Sequence, residues 1–341
     1  MLVLKTKNGY KCEVPETDLE DLVPKFNFNL DIQKAKKYYE ENGFIVFKKV
    51  FKDKDCRYLI NAWENEVKNF KGHLYRQATA KLERNIFNDQ NWIMNPILNL
   101  QSLYIKKFPL LRHGFEDIIA SNNFLANFIS LVINDKPMIV QSMYFEGNSV
   151  TWEHQDSYYL DDEIVGNMIA GWVALENIKA NAGRFFVCAK SHLDDISEMS
   201  IENNVADNHD AFIERVNKQI QDKKYKVLAP KLDCGDVLLW NSLTIHGSLD
   251  SQSMTNSRSS ITFHAIRSNS KFFVLRNSLR NLVSDTSFPF NIFRPKDQNK
   301  IVNRLIFYFE STFPKVFYKF KKIAIKSILK IKKGDKNTLK D

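Results

Sequence analysis

Trp152-Glu153-His154-Gln155-Asp156-Ser157-Tyr158-Tyr159 contains a His-x-Asp step that is answered much later in the chain by His246 and then by Arg258. On an extended segment, a two-residue separation turns both side chains to one side, roughly 6 to 7 Å apart at the backbone. A metal ion bridges such a gap. The turn Gly235-Asp236 leads into an apolar run, Val237-Leu238-Leu239-Trp240, just before His246, so a neighbouring strand is expected to supply a third ligand. Two imidazoles and one carboxylate suit a non-haem Fe(II), with the opposite coordination positions left open. One negative charge among three ligands leaves the ion net positive and favours an anionic co-ligand, whose far carboxylate an arginine such as Arg258 pairs with bidentately.

Further segments follow in order around this step. Asn42-Gly43-Phe44-Ile45-Val46-Phe47 sits behind a helical stretch, Lys34 to Glu41; Gly171-Trp172-Val173-Ala174-Leu175, Asn181-Ala182-Gly183 and Lys190-Ser191-His192 come next; Gly235-Asp236 through Ile245-His246-Gly247-Ser248 and Arg258 close the series. Spread from about Leu30 to Arg267, this order resembles the phytanoyl-CoA dioxygenase family of Fe(II)/2-oxoglutarate oxygenases. The resemblance implies that His154, Asp156 and His246 ligate Fe(II) and that Arg258 pairs with the C5 carboxylate of 2-oxoglutarate. It further implies that Ser248, on the same strand face as His246, adds a hydrogen bond, and that Trp172 lines the co-substrate pocket. Gln141, Tyr144, Tyr158 and Asn241 are expected at the cavity from strand parity, Gln141 as a further co-substrate contact. Family halogenases carry a small residue at the carboxylate position, so Asp156 favours hydroxylation, with O₂ consumed and 2-oxoglutarate converted to succinate and CO₂. The chain departs from the family pattern at Lys190, where glycine or proline is more usual, and at Arg184 in an apolar stretch; the family's acyl-CoA substrate therefore does not carry over.

With 341 residues and 44% hydrophobic content, the chain is long enough to bury a full core. Twenty-six Phe and twelve Tyr against eleven Gly suit a barrel interior filled by bulky rings. Cys12, Cys56, Cys188 and Cys234 are scattered; without a Cys-x-x-Cys pair they argue against a zinc site or disulfide framework and suit a reducing compartment, with Cys188 and Cys234 read as small buried hydrophobes. The start, Met1-Leu2-Val3-Leu4-Lys5-Thr6-Lys7, lacks a signal peptide's apolar stretch, and no apolar run reaches the ~20 residues of a bilayer span. A cytoplasmic location is the resulting expectation.

Residues 1–29 read as a strand pair joined at Asn8-Gly9 plus an acidic linker. Residues 30–295 read as the oxygenase domain, mainly β with flanking helices around a double-stranded β-helix, the cupin-like jelly roll. Helices are expected over Ile32 to Glu41 and Lys54 to Phe70, the latter with Cys56, Leu59, Ile60, Trp63 and Val67 on one stripe. Short alternating strands are expected at Met138 to Tyr144, Met168 to Leu175, Phe185 to Ala189, Val237 to Trp240 and Ile261 to Ile266. A polar helical insert, Asn208 to Gln221, is expected near the barrel mouth.

Residues 296–341 differ in kind. They hold thirteen Lys and Arg against four Asp and Glu, an excess equal to the +9 of the whole chain. Everything before them is therefore neutral. Pro314 and Gly334 bracket a stretch, 313–333, in which Phe317, Phe320, Ala324, Ile328 and Ile331 recur at helical spacing among lysines; Ile301 to Phe309 offers a second helix. A basic amphipathic helix of this kind can lie on an anionic membrane surface, which would make the enzyme peripheral on the inner face of the membrane and its substrate a lipid-linked saccharide. The same stripe can instead pack on the barrel or on a second copy in a homo-oligomer. Nucleic acid is not expected, because the cations share a helix with an apolar face rather than lining a groove with stacking aromatics. Two other functions fit the same features: hydroxylation of a free metabolite or acyl thioester with the tail used for dimerisation, and a non-catalytic jelly-roll binding protein.

Overall fold

A computed structural model describes residues 1–28, 31–147, 150–196, 208–251, 256–276 and 278–323. The first helix, Ile32–Asn42, is capped by the Asp31 carboxylate, which accepts from the Lys34 amide at 3.2 Å. It ends at Gly43, whose φ of +79° closes the helix through an N–H bond to the Tyr39 carbonyl. Only glycine fits there: a Cβ would lie 2.4 Å from His192 Nδ1.

The chain then enters Phe44–Lys48, a strand buried on both faces. Phe44 and Val46 join an inner cluster with Trp172 and Trp240, whereas Ile45 and Phe47 join a larger outer cluster built with the helices. This strand sits in a nine-stranded sheet whose centre runs, by hydrogen-bonded neighbours, Pro137–Phe145, Ser260–Arg267, Ile169–Ala174, Val237–Asn241, Phe44–Lys48, each pair antiparallel. Lys25–Asn27 and Asn291–Phe293 add parallel partners outside this central set. A smaller sheet, Val227–Leu228, Phe185–Cys188 and His246–Ser248, faces the large one: Phe185 stacks on Trp172 and lies 4.7 Å from the Trp240 ring. Two sheets closing on a shared aromatic interior make the expected jelly roll.

Each expected strand forms to within a residue or two. The N-terminal hairpin pairs Leu2–Lys5 with Lys11–Val14 around Gly9. The expected Lys54 to Phe70 helix divides into an α-helix, Asp53–Ala62, and a wider π-helical turn, Trp63–Lys68. Its stripe survives the change: Cys56, Leu59, Trp63 and Val67 are buried in the outer cluster. The polar insert forms the helix His209–Lys223, which buries Phe212, Ile213, Val216 and Ile220 against the body, and its first residue, His209, lines the cavity. Arg184 lies one residue before the Phe185 strand and is buried, donating to the carbonyls of Ile178 and Pro15; the odd charge is a tie between loops. In the C-terminal region, Ile301–Thr312 is helical and residues 314–323 are helical after it. Ala324, Ile328 and Ile331 lie outside the described residues. Among the described residues no helix is long and apolar enough to cross a membrane.

Candidate active site

His154 and His246 pair across adjacent antiparallel segments, exchanging two backbone bonds of 3.0 Å. Directly opposed residues share a face, and the two imidazole rings lie 4.2 Å apart between centroids. Asp156, two residues beyond His154, opens the short helical turn Asp156–Tyr158 and turns back toward both. Its Oδ1 lies 3.6 Å from His154 Nε2 and 3.5 Å from His246 Nε2. The three ligand atoms fall within 4.8 Å of one another, close enough for all to reach one ion.

Each ring is oriented from behind. Nδ1 of His154 meets the Trp152 carbonyl at 2.7 Å and Nδ1 of His246 meets the Thr244 carbonyl at 2.9 Å. A nitrogen facing a carbonyl must carry the proton, which leaves the Nε2 lone pair of each ring directed at the shared space. The carboxylate is divided in the same way. While Oδ1 faces the histidines, Oδ2 accepts from Trp240 Nε1 at 2.9 Å and lies 3.4 Å from His264 Nε2. Burial opposes charge on Asp156, yet the imidazoles of His246 and His264 hold its carboxyl well below the usual range. Burial pushes His246 down to about 3, so this ring is neutral near pH 7. One carboxylate and two imidazoles with free lone pairs form the donor set of a divalent transition metal.

Beside them opens a cavity of about 620 Å³ lined by Gln141, Trp172, Ser248, Arg258, Thr262 and His264 among others. Arg258 is 4% exposed. One guanidinium nitrogen donates to the Gly183 carbonyl at 2.8 Å and the group lies over the Phe145 ring, but Nε has no hydrogen-bond partner and no carboxylate pairs with it among the described residues. Burial lowers its pKa to about 10, leaving it cationic. Thr262 Oγ1 and His264 Nδ1 are likewise buried and without partners. An uncompensated buried cation beside spare hydroxyl and imidazole atoms is costly unless a polar ligand completes it. A dicarboxylate that reaches from the metal to Arg258 meets that need, so the residues present fit both iron and 2-oxoglutarate. Ser248 Oγ accepts from the Thr151 amide at 2.7 Å, fixing the loop that precedes His154.

A β-bulge sets the position of Gln141. Pairing between Ser260–Arg267 and Pro137–Phe145 slips between His264 and Ala265, so Gln141 stands opposite His264 while Ile139 stands opposite Ala265. Beyond the slip Gln141, Met143 and Phe145 all face the cavity. Three of the expected cavity residues point elsewhere. Tyr144 has the opposite parity to Gln141 and stacks on Trp63 in the outer core; Tyr158 stacks on Phe212 of the insert helix; Asn241 Nδ2 donates to the Gly166 carbonyl. Sequence reasoning missed Trp240 and His264, which hold the far carboxylate oxygen, as well as Thr262, Tyr159 and His209. A signal for some of them exists: Arg258, Ser260, Thr262 and His264 alternate with Ser259, Ile261, Phe263 and Ala265, a polar face running through a strand too apolar to be a surface strand.

A family model described as Phytanoyl-CoA dioxygenase (PhyH) matches residues 39–260, more than half of the chain. No curated protein sequence matches it. Among solved structures, the fold is similar to the non-heme alpha ketoglutarate dependent carbocyclase SnoK from nogalamycin biosynthesis, at 15% identity and a TM-score of 0.52, covering 72% of this chain and 87% of SnoK. It is also similar to EctD from S. alaskensis in its apoform, at 16% identity and a TM-score of 0.50, covering 79% and 83%. At such identities the likeness shows the shared fold. With the family match spanning the jelly roll and the His-Asp-His group assembled inside it, the chain belongs to the phytanoyl-CoA dioxygenase family and is an Fe(II)/2-oxoglutarate-dependent enzyme that uses O₂.

Proposed function

We propose that this enzyme hydroxylates an unactivated C–H bond of a small-molecule or lipid-linked saccharide substrate, the lipid-linked saccharide being the reading favoured, with 2-oxoglutarate converted to succinate and CO₂. In this reading His154, Asp156 and His246 hold iron, and Arg258 pairs with the C5 carboxylate of 2-oxoglutarate. Thr262 and Ser248 border the co-substrate, and the Trp172 and Phe185 rings wall it off from water. Bound together, iron and 2-oxoglutarate supply the activation of O₂. The protein's own share is to hold the two imidazoles as neutral donors and to keep Asp156 ionised with one oxygen free. Its aromatic walls shield the reacting centre from solvent.

The observation that carries the proposal is the buried Arg258, without a carboxylate partner among the described residues, in the same cavity as the three ligand atoms. For the substrate, support comes from the rim. Trp152 is 41% exposed beneath the Lys7 ammonium, and Tyr159 shares a 2.8 Å hydrogen bond with His209 of the insert helix. An exposed indole at the same rim as hydroxyl and imidazole groups suits a sugar ring, which offers both a C–H face and hydroxyls. Asp156 supports hydroxylation over halogenation, since its carboxylate occupies the position a halide would need.

Incubating the full chain with Fe(II), 2-oxoglutarate and O₂ and measuring succinate tests the chemistry. Iron-dependent succinate formation, even without the prime substrate, is the expected result. Its absence in a folded, iron-loaded preparation would leave a non-catalytic jelly-roll binding protein as the better reading.

A further inference from the structure

The helix Ile301–Thr312 inverts the ordinary arrangement of a surface helix. Its single buried residue is the acid Glu310, while Ile301, Val302, Leu305 and Tyr308 are each about two-thirds exposed. In the helical residues that follow, Val316, Phe320 and Ile323 continue the exposed apolar surface. Glu310 is the anchor. Its carboxylate accepts from the hydroxyls of Tyr75, at 2.9 Å, and Tyr318, and lies 3.9 Å from the Lys296 ammonium, which covers the Tyr75 ring. The apolar face is therefore held outward by a buried polar clamp.

We infer that this helix pair is a docking surface for an anionic lipid bilayer and that it sets the cavity mouth against the headgroup layer. Charge selects the occupant. From 300 to 323 the chain carries six cations, Lys300, Arg304, Lys315, Lys319, Lys321 and Lys322, and its one acid is the buried Glu310. A two-fold contact with a second copy would set these cations against themselves. Residues 324–341 carry six lysines against two aspartates, the same sign again. Apolar side chains rimmed by cations that make no salt bridge among the described residues match a surface that is apolar inside and anionic outside.

Position links the surface to the site. Tyr75, which holds Glu310, is two residues from Gln77, and Gln77 and Ala78 line the cavity. One short segment thus touches both the clamp and the substrate space. The inference rests on the proposed lipid-linked substrate: a headgroup presented at the bilayer would enter beside the helices that lie on it.

Flotation of the full chain tests this, using phosphatidylcholine vesicles with and without about 30 mol% phosphatidylglycerol. The chain is expected to float with the anionic vesicles only and to be released at about 0.5 M NaCl. The pair Leu305→Gln and Phe320→Gln, and separately Lys319→Glu with Lys322→Glu, should each weaken vesicle binding by about tenfold or more. Both should leave iron-dependent succinate formation in solution unchanged. Failure of the full chain to float, flotation of the Leu305→Gln, Phe320→Gln form equal to that of the parent, or a dimer in solution that these two changes dissolve would each overturn the surface. Loss of succinate formation in the parent chain would instead overturn the oxygenase reading, so the two failures are told apart.

Discussion

The strand beside the cavity and the C-terminal helices depart from the usual placement of polar and apolar groups in opposite directions. Along Ser260–Arg267 and the residues before it, Arg258, Ser260, Thr262 and His264 are buried, and each keeps a polar atom without a hydrogen-bond partner among the described residues. On Ile301–Thr312 the apolar side chains stand in solvent and the carboxylate is inside. Most buried polar groups in a folded protein are satisfied, and large contiguous apolar patches are seldom left bare. Each region is therefore incomplete alone, and the sign of the deficit tells the chemistry of what completes it: a small charged ligand inside, an amphiphilic surface outside.

The cavity half of this contrast is the easier to break. Asp156→Ala removes the only acid among the three ligands and should weaken Fe(II) binding and abolish succinate formation; turnover surviving in that variant would show that the ligand set is wrong. Arg258→Ala comes next. Losing a charge-assisted contact of about 2 to 3 kcal/mol should raise the 2-oxoglutarate concentration needed for half-maximal turnover by roughly 30-fold or more, with iron binding intact. An unchanged requirement would mean that the spare guanidinium serves the fold. Trp240→Phe keeps the ring but deletes the donor to Asp156 Oδ2. Groups that orient a metal ligand typically contribute about 10- to 100-fold in affinity, and a Co(II) titration followed by its visible absorption would read the loss directly. If affinity does not move, the carboxylate is held by the metal and His264 alone.

Much of the cavity could be read along the chain because its chemistry depends on short spacings. His154 and Asp156 stand two apart, and the turn at Gly235, with φ of +86° and the Phe51 carbonyl packed against it, marks the strand that leads to His246. What escaped was whatever depends on pairing between distant strands. His264 meets Asp156 only because its strand lies beside Ile169–Ala174 and Pro137–Phe145, and the bulge that places Gln141 opposite it has no local signature. Tyr144 was expected beside Gln141, but three residues of separation give it the opposite parity and send it to the other side of the sheet, against Trp63. Tyr158 failed for a different reason. Its partner Phe212 belongs to a helix whose spacing showed amphipathicity but not which element it would cover.

The C-terminal half of the contrast turns on a small effect. The helical spacing of Ile301 to Phe309 is legible, but periodicity alone implies that the apolar stripe packs inward. The inversion becomes visible only once Glu310 is found buried against Tyr75 and Tyr318. It carries a quantitative consequence. Leu305 is 64% exposed, so Leu305→Gln should change the stability of the protein in solution by no more than about 0.5 kcal/mol, whereas truncating a buried leucine costs about 2 to 5 kcal/mol. Denaturant unfolding of the purified chain separates the two cases. A loss of several kcal/mol would mean that the stripe is covered in solution, by a second copy or by the chain's own end, and the opposition between an inward polar deficit and an outward apolar one would shrink to the cavity alone.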